Sequence, residues 1–439
     1  MYENKKILIL GAAKSGIAVS ELLANKNNNI TLSDIKPLNE DIKKKLESLG
    51  INIIITSNQV DLIDQSYDLV IKNPAIMATS DIEKKLKSLN IRTENELEVA
   101  YHFLPEDVQI IGVTGSNGKT TTTTIIYELL KRHGKSVILG GNIGTPLSAL
   151  IGEIKKGDIV LLEISDHQLC DIHDFKTNIS VLTNICPTHL DYHGSYEHYM
   201  NTKKKIFNLH TAADEAIINA KNTDSLAITK DIPSTKIYFN NAENYIEDGY
   251  IYLHNKPYLS LDDICLKGQH NYENILAALL VLDRFNLDKN IVIDFLREFK
   301  GVYHRLEFVA NKNGVEYYND SKSTNPTATI TALMTFKKPL HLILGGLDRN
   351  QDFNELNDYM QYVKCIYAIG EVTDRISDYA NSINIPCQKC YNLQNAMNII
   401  YENVCDGEVV LLSPGSSSQD QYAKFEDRGD EFKNIVEKF

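Results

Sequence analysis

The sequence predicts an α/β fold in three domains, and three observations carry that prediction. Short apolar runs alternate with helix-patterned stretches, the signature of parallel sheets covered by helices on both faces. Two of those runs stop at glycine-rich turns, 11–16 and 114–120, and continue directly into helical patterns. With 439 residues the chain is also too long for one core. The expected domains are a Rossmann-like 1–98, a central 99–303 carrying a phosphate loop on a parallel sheet, and a Rossmann-like α/β domain at 304–439.

Residues 6–10 read as a short buried strand and 11–16 as a glycine turn, with an apolar-periodic helix running through Leu23. The next strand, 29–34, ends on the carboxylate of Asp34. Position 13 is Ala13, so the dinucleotide glycine fingerprint is incomplete. Residues 67–74 are a strand edge, 94–101 a helix and 103–105 a break. Central strands are expected at 107–113, 136–139, 158–164 and 178–184, and a long apolar helix is entered through 267–279. Near Gly301 the pattern restarts, with strands at 314–320, 340–344, 365–369 and 409–412.

A hydrophobic content of 43% with 23% charged residues fits an ordinary soluble protein. Net charge is −13, which argues against nonspecific nucleic-acid binding but leaves room for a local cationic cradle. Seven cysteines, an odd and scattered set, do not form a disulfide framework. Cys387 and Cys390 have metal-ligand spacing without a second pair nearby, so they read as small loop residues. The N-terminus enters a strand almost at once, and no apolar run reaches membrane-spanning length. The expected setting is cytoplasmic, without membrane insertion.

The densest chemistry lies at 111–121. Gly115, Ser116, Asn117 and Gly118 would bring backbone N–H groups together at the start of a helix, where an anion is favoured. Lys119 would reach terminal phosphates and Thr120 would meet Mg²⁺, with Thr121 beside it. An ordinary P-loop would place glycine where Val113 stands, so this is a tighter variant. Other strand ends carry matching groups, since ligands collect at the C-terminal ends of such strands. Glu163 is placed for a metal-binding acid, His189 and Asp191 follow the strand at 178–184, and Asn142 lies in the turn 140–144. Lys203-Lys-Lys205 would ordinarily be a solvated helix face; near Mg²⁺ a neutral lysine can instead take up CO₂ as a carbamate. In the third domain, Arg305, Asp320 and Lys322 crowd a strand end and suit phosphate and ribose contacts. Arg349 suits bidentate pairing with a carboxylate.

Taken in order, these segments resemble the Mur ligases, the ATP-dependent amide-forming family of peptidoglycan precursor synthesis. The matching motifs are Thr-Gly-Ser-Asn-Gly-Lys-Thr (114–120), Gly-Asn-Ile-Gly (141–144), Glu-Ile-Ser-Asp-His-Gln-Leu (163–169) and Asn-Ile-Cys-Pro-Thr-His-Leu-Asp (184–191). Gly-Gln-His-Asn-Tyr-Glu-Asn (268–274), His-Arg (304–305) and Asn-Asp-Ser-Lys-Ser-Thr-Asn (319–325) continue the series. Length and the 411–429 ending most resemble the branch that adds D-glutamate to UDP-N-acetylmuramoyl-L-alanine. The alternatives are an L-alanine- or diamino-acid-adding Mur ligase, or a ligase like folylpolyglutamate synthase. Asp166-His167 and Cys186-Pro-Thr188 depart from the usual Ser-Phe and Ser-Pro-Asp.

The resemblance implies ATP and two Mg²⁺ ions, held by Thr120, Glu163, His189 and Lys203 as carbamate. It places Asn142, Ser165 and Gln168 near the reacting carboxylate, and Asn271, Asn274, Arg305 and Asp320 at the nucleotide. Ala13, Lys14, Ser15, Asp34 and Lys36 would meet UDP; Thr324, Arg349, Ser418 and Phe425, with Lys322, would surround D-glutamate. The expected catalytic set is Lys119, Glu163, His189 and Lys203, in a monomer that binds no nucleic acid.

Overall fold

Four sheets form among the residues described by the computed structural model, which are 2–24, 26–77, 79–188, 190–349 and 351–439. The chain divides into two compact units, Met1–Arg297 and Glu298–Phe439.

The first sheet holds β1 (Lys6–Leu10), β2 (Asn29–Asp34), β3 (Asn52–Ile55), β4 (Leu69–Lys72) and β5 (Thr93–Glu94), in the order β3-β2-β1-β4-β5. All its pairings are parallel. The second holds β6 (Gln109–Thr114), β7 (Val137–Gly141), β8 (Ile159–Glu163), β9 (Ile179–Leu182), β10 (Glu215–Asn219) and β11 (Thr235–Phe239). Its order is β11-β10-β9-β6-β8-β7, again all parallel. Every residue of β8 and β9 is buried, as expected of a parallel sheet with both faces covered. One cover is the helix Gln269–Leu282, buried without a break from Asn274 to Leu282 and packed on the helix Lys119–Arg132. Each of its fully buried leucines contributes about 1.5–3 kcal/mol of transfer free energy.

A small antiparallel sheet, β12 (Tyr245–Glu247), β13 (Tyr250–Leu253) and β14 (Lys256–Ser260), follows. Alternation by large apolar runs did not predict it. Its tight turns rest on Asp248-Gly249 and His254-Asn255, all at positive φ, the geometry that suits two-residue hairpins.

The second unit carries β15 (Glu307–Lys312), β16 (Val315–Asn319), β17 (Leu340–Gly345), β18 (Val363–Ile369), β19 (Cys387–Tyr391) and β20 (Val409–Leu412). The order is β15-β16-β20-β17-β18-β19, and only β15 runs antiparallel to its neighbour. Cys387 and Cys390 therefore lie on a strand and not in a loop: β19 is an edge strand whose pattern is too polar to show itself locally.

Residues 94–101 divide between β5 and the helix Glu96–Tyr101. That helix ties the first sheet to the segment that follows β8. Glu98, fully buried, accepts the backbone N–H groups of His173 (2.9 Å), Asp174 (2.7 Å) and Phe175 (3.0 Å). Lys72, at the end of β4, is buried between Glu83 (2.5 Å) and Asp171 (3.2 Å). Removing one partner of such a buried pair would cost about 3–5 kcal/mol, so the first sheet is firmly held against the second.

Candidate active site

The candidate phosphate loop is built by two forced glycines and a brace from the end of β9. Gly115 has φ +146° and Gly118 φ +83°; a Cβ at the first would collide with Thr183 Oγ1, and at the second with Asn274 Oδ1. Gly118 caps the helix Lys119–Arg132 without a side-chain hydrogen bond of its own. The leading amides of such a helix favour an anion. Lys119 Nζ donates to the carbonyls of Gly115 (2.8 Å) and Ser116 (3.0 Å), so the loop is folded around its own cation. From the end of β9, Asn184 accepts the amides of Ser116 (2.9 Å, backbone O) and Asn117 (3.0 Å, Oδ1). Thr183 Oγ1 donates to Asn117 O at 2.6 Å, and Ser116 Oγ pairs with Tyr199 OH at 2.6 Å. Thr120 is buried and Thr121 half-buried.

Beside this loop the sheet delivers an acid. β6 and β8 are neighbours with Val113 opposite Glu163, so the carboxylate stands one strand over from the loop. Glu163 is fully buried. Its Oε1 accepts from Asn142 Nδ2 at 2.7 Å, whereas its Oε2 has no hydrogen-bond partner among the described residues. A buried, unpaired carboxylate oxygen is costly unless something positive completes it. That orphaned anionic oxygen fits a divalent cation. Asn142 is held by its own N–H, which donates to Glu163 O at 2.8 Å.

Ser165 and Gln168 follow Glu163 and lock each other. Ser165 caps the short helix Asp166–Leu169, accepting Gln168 N at 3.3 Å, while Gln168 Oε1 accepts Ser165 N at 3.1 Å. Lys203 is fully buried, far from the solvated face its lysine-rich run suggests. Burial pushes its pKa down to about 7, against the pull of Asp166 and helped by the charge of Lys119. Its Nζ is 3.4 Å from Asp166 Oδ1. Lys204 is only half-buried, and Lys205 Nζ donates to Cys170 O. His189 lies outside the described residues, as does the side chain of Asp191.

In the same unit, Asn274 is buried against Gly118, and Asn271 Nδ2 donates to Lys267 O at 2.9 Å. The glycine turn after β1 is organised by Asp34, which accepts Ala12 N (2.6 Å) and Lys36 N (2.9 Å). Gly11 has φ +99° and packs on Asn73, whose amide reaches Ser15 Oγ at 3.4 Å. Ala13, Lys14 and Lys36 are exposed there and Ser15 half-buried.

In the second unit Asp320 is buried, accepting Leu306 N (3.1 Å) and Ser413 Oγ (2.7 Å), and burial pushes its pKa up to about 6. Arg305 is exposed; Lys322 and Thr324 are half-buried. Arg349 is exposed and donates to Gln419 Oε1 at 2.5 Å. Ser418 is buried and Phe425, half-buried, opens the helix Phe425–Lys438.

Sequence reasoning missed several residues that shape these sites. Thr183, Asn184 and Tyr199 brace the phosphate loop, and the buried His193 pairs with Asp166 at 2.7 Å. Buried Arg428 gathers the carbonyls of Ser321 (2.9 Å) and Ser416 (3.2 Å), so it joins the 319–325 and 411–418 segments. The signals available in advance were the Asp166-His167 departure, the 184–191 motif that Asn184 opens and the 411–429 ending that holds Arg428.

Residues 113–282 match the family described as Mur ligase middle domain, and 304–415 match the Mur ligase glutamate ligase domain. The chain belongs to the Mur ligase family of ATP-dependent amide-bond-forming ligases. It is 40% identical over 445 residues to UDP-N-acetylmuramoylalanine–D-glutamate ligase of Geobacillus kaustophilus, covering 100% of this chain and 98% of that one. The ligase of the same name from Listeria monocytogenes is 36% identical, with 99% and 97% covered. Among solved structures, UDP-N-acetylmuramate–alanine ligase of Thermotoga maritima shares the fold with TM-score 0.56 at 20% identity, over 99% of both chains. The MurF ligase of the same organism, solved in complex with ADP, gives TM-score 0.54 at 20% identity, over 99% and 96%. No helix among the described residues is long and apolar enough to cross a membrane.

Proposed function

We propose that this protein joins D-glutamate to UDP-N-acetylmuramoyl-L-alanine at the expense of ATP. The observation that carries the reading is the Lys119 loop standing one strand over from Glu163, whose Oε2 has no hydrogen-bond partner among the described residues, in a chain similar end to end to ligases of that name. The terminal alanine carboxylate attacks the γ-phosphorus, the bond to the ADP oxygen breaks, and an acyl phosphate forms. The amine of D-glutamate then attacks the acyl carbon and inorganic phosphate leaves. Lys119 and the loop amides, Gly115 through Thr121, neutralise phosphate charge as it shifts, a task of positioning and electrostatics.

One Mg²⁺ would be held by Thr120 and Glu163, whose Oε2 has no hydrogen-bond partner among the described residues, and a second by His189 and a carbamate on Lys203. Bound there, they supply further charge neutralisation to the phosphates. Burial of Lys203 supports the carbamate, because it favours the neutral, CO₂-reactive amine. Asn142, Ser165 and Gln168 orient the reacting carboxylate; Asn271, Asn274, Arg305 and Asp320 serve the nucleotide. Ala13, Lys14, Ser15, Asp34 and Lys36 hold UDP, and Lys322, Thr324, Arg349, Ser418 and Phe425 receive D-glutamate. The working unit is a cytoplasmic monomer of three domains, 1–98, 99–303 and 304–439.

Phosphate release tests the reading. It should require ATP, the UDP-muramoyl-alanine acceptor and D-glutamate together. Turnover with L-alanine or a diamino acid in place of D-glutamate, and none with D-glutamate, would move the chain to another branch of the family.

A further inference from the structure

One buried carboxylate serves two buried bases in the heart of the first unit. Asp166 Oδ2 stands 2.7 Å from His193 Nε2, and Asp166 Oδ1 stands 3.4 Å from Lys203 Nζ. The side chains of His193 and Lys203 are wholly buried and that of Asp166 nearly so. His167 Nδ1 lies 3.4 Å from the same Oδ2, and the other nitrogen of His193, Nδ1, lies 3.3 Å from His198 Nδ1. On its far side Lys203 Nζ faces the Tyr199 ring at 4.8 Å from the centroid, and Tyr199 OH pairs with Ser116 of the phosphate loop. Asp166 itself is fixed by the Ser165–Gln168 capping box, three residues beyond Glu163.

We propose that Asp166 is a positioning residue of this ligase: it sets the direction of Lys203 Nζ, and through Lys203 the metal side of the site. The proposal rests on the metal-side role given to Lys203 above. An N–H remains on Nζ both in the ammonium and in the carbamate, so the carboxylate is an acceptor for either. Without it, the Tyr199 face is the partner that remains to Nζ among the described residues. His193 holds the opposite oxygen, so the carboxylate cannot rotate away to follow.

Mn²⁺ binding in the presence of ADP, read by electron paramagnetic resonance without turnover, tests this. Asp166→Ala should weaken Mn²⁺ about tenfold, the usual effect of removing a group that orients a metal ligand. Asp166→Asn, which keeps the shape and an acceptor oxygen, should recover most of that loss. In a Lys203→Met background, Asp166→Ala should have no further effect, because the path through Lys203 is already cut. Wild-type Mn²⁺ affinity in Asp166→Ala beside a weakened Lys203→Met would overturn the role of Asp166 alone. So would an undiminished Asp166→Ala effect in the Lys203→Met background. Unchanged affinity in Lys203→Met by itself would instead overturn the functional reading of Lys203, and the proposal with it. Should Asp166→Ala fail to fold, Asp166→Ser carries the same comparison.

Discussion

Replacing Lys119 with methionine separates what this side chain does for the loop from what it does for the reaction. Methionine keeps an unbranched stem and a comparable helix propensity, so the start of the helix Lys119–Arg132 should survive. In the resting loop Nζ makes two contacts, 2.8 Å and 3.0 Å, to loop carbonyls. The group is only partly buried, so their combined loss should destabilise the first unit by about 1–2 kcal/mol. On the proposed reaction the same ammonium turns to phosphate oxygens in the transition state, and deleting one preorganised donor of that kind costs about 2.7–4 kcal/mol, or about 10²–10³ in kcat. Circular dichroism with thermal melting should show a folded protein with a lowered Tm. Phosphate release with saturating ATP, acceptor and D-glutamate should show the rate loss. A variant keeping more than a tenth of wild-type kcat, under about 1.4 kcal/mol of barrier, would remove Lys119 from the reaction.

Glu163→Gln should raise the Mg²⁺ midpoint of turnover, because the amide cannot supply the anionic Oε2; an unchanged midpoint would take Glu163 out of the metal set. D-glutamate should exceed L-glutamate in kcat/KM by at least about a hundredfold, since a site made to pair a carboxylate at a set place penalises a misplaced one; equal values would contradict the amino-acid assignment. His210 is buried among Thr177, Ser180 and Ser234, and burial pushes its pKa down to about 4. The unfolded chain, titrating near 6.5, then binds the extra proton across that window, so stability is lost as pH falls from about 6.5 toward 4, by at most about 3 kcal/mol. His210→Gln should flatten that part of the urea-midpoint profile, and a profile parallel to wild type would show that His210 does not carry it.

The sequence determined much of this protein by local pattern. Runs such as 6–10 and 158–164 announced buried parallel strands, and the spacing of Gly115, Gly118 and Lys119 announced a glycine turn that opens a helix, because backbone freedom and periodicity are properties of neighbouring residues. The hairpin at 245–260 has a local signal only in Asp248-Gly249, a short turn pair whose flanking strands are too brief to stand out from sequence. β19 was not legible, since an edge strand with Gln388 and Lys389 both exposed carries no alternation of its own. The strand order alone decided that Glu163 lies beside the loop, for it depends on β8 pairing with β6 across about fifty residues. The brace of Thr183 and Asn184, the orphaned Glu163 Oε2 and the burial of Lys203 have the same origin. From sequence, Lys203 is one of three adjacent lysines; only burial beside Asp166 and Tyr199 removes it from water and makes its charge costly. Desolvation is a property of everything that surrounds a group, and those neighbours come from distant parts of the chain.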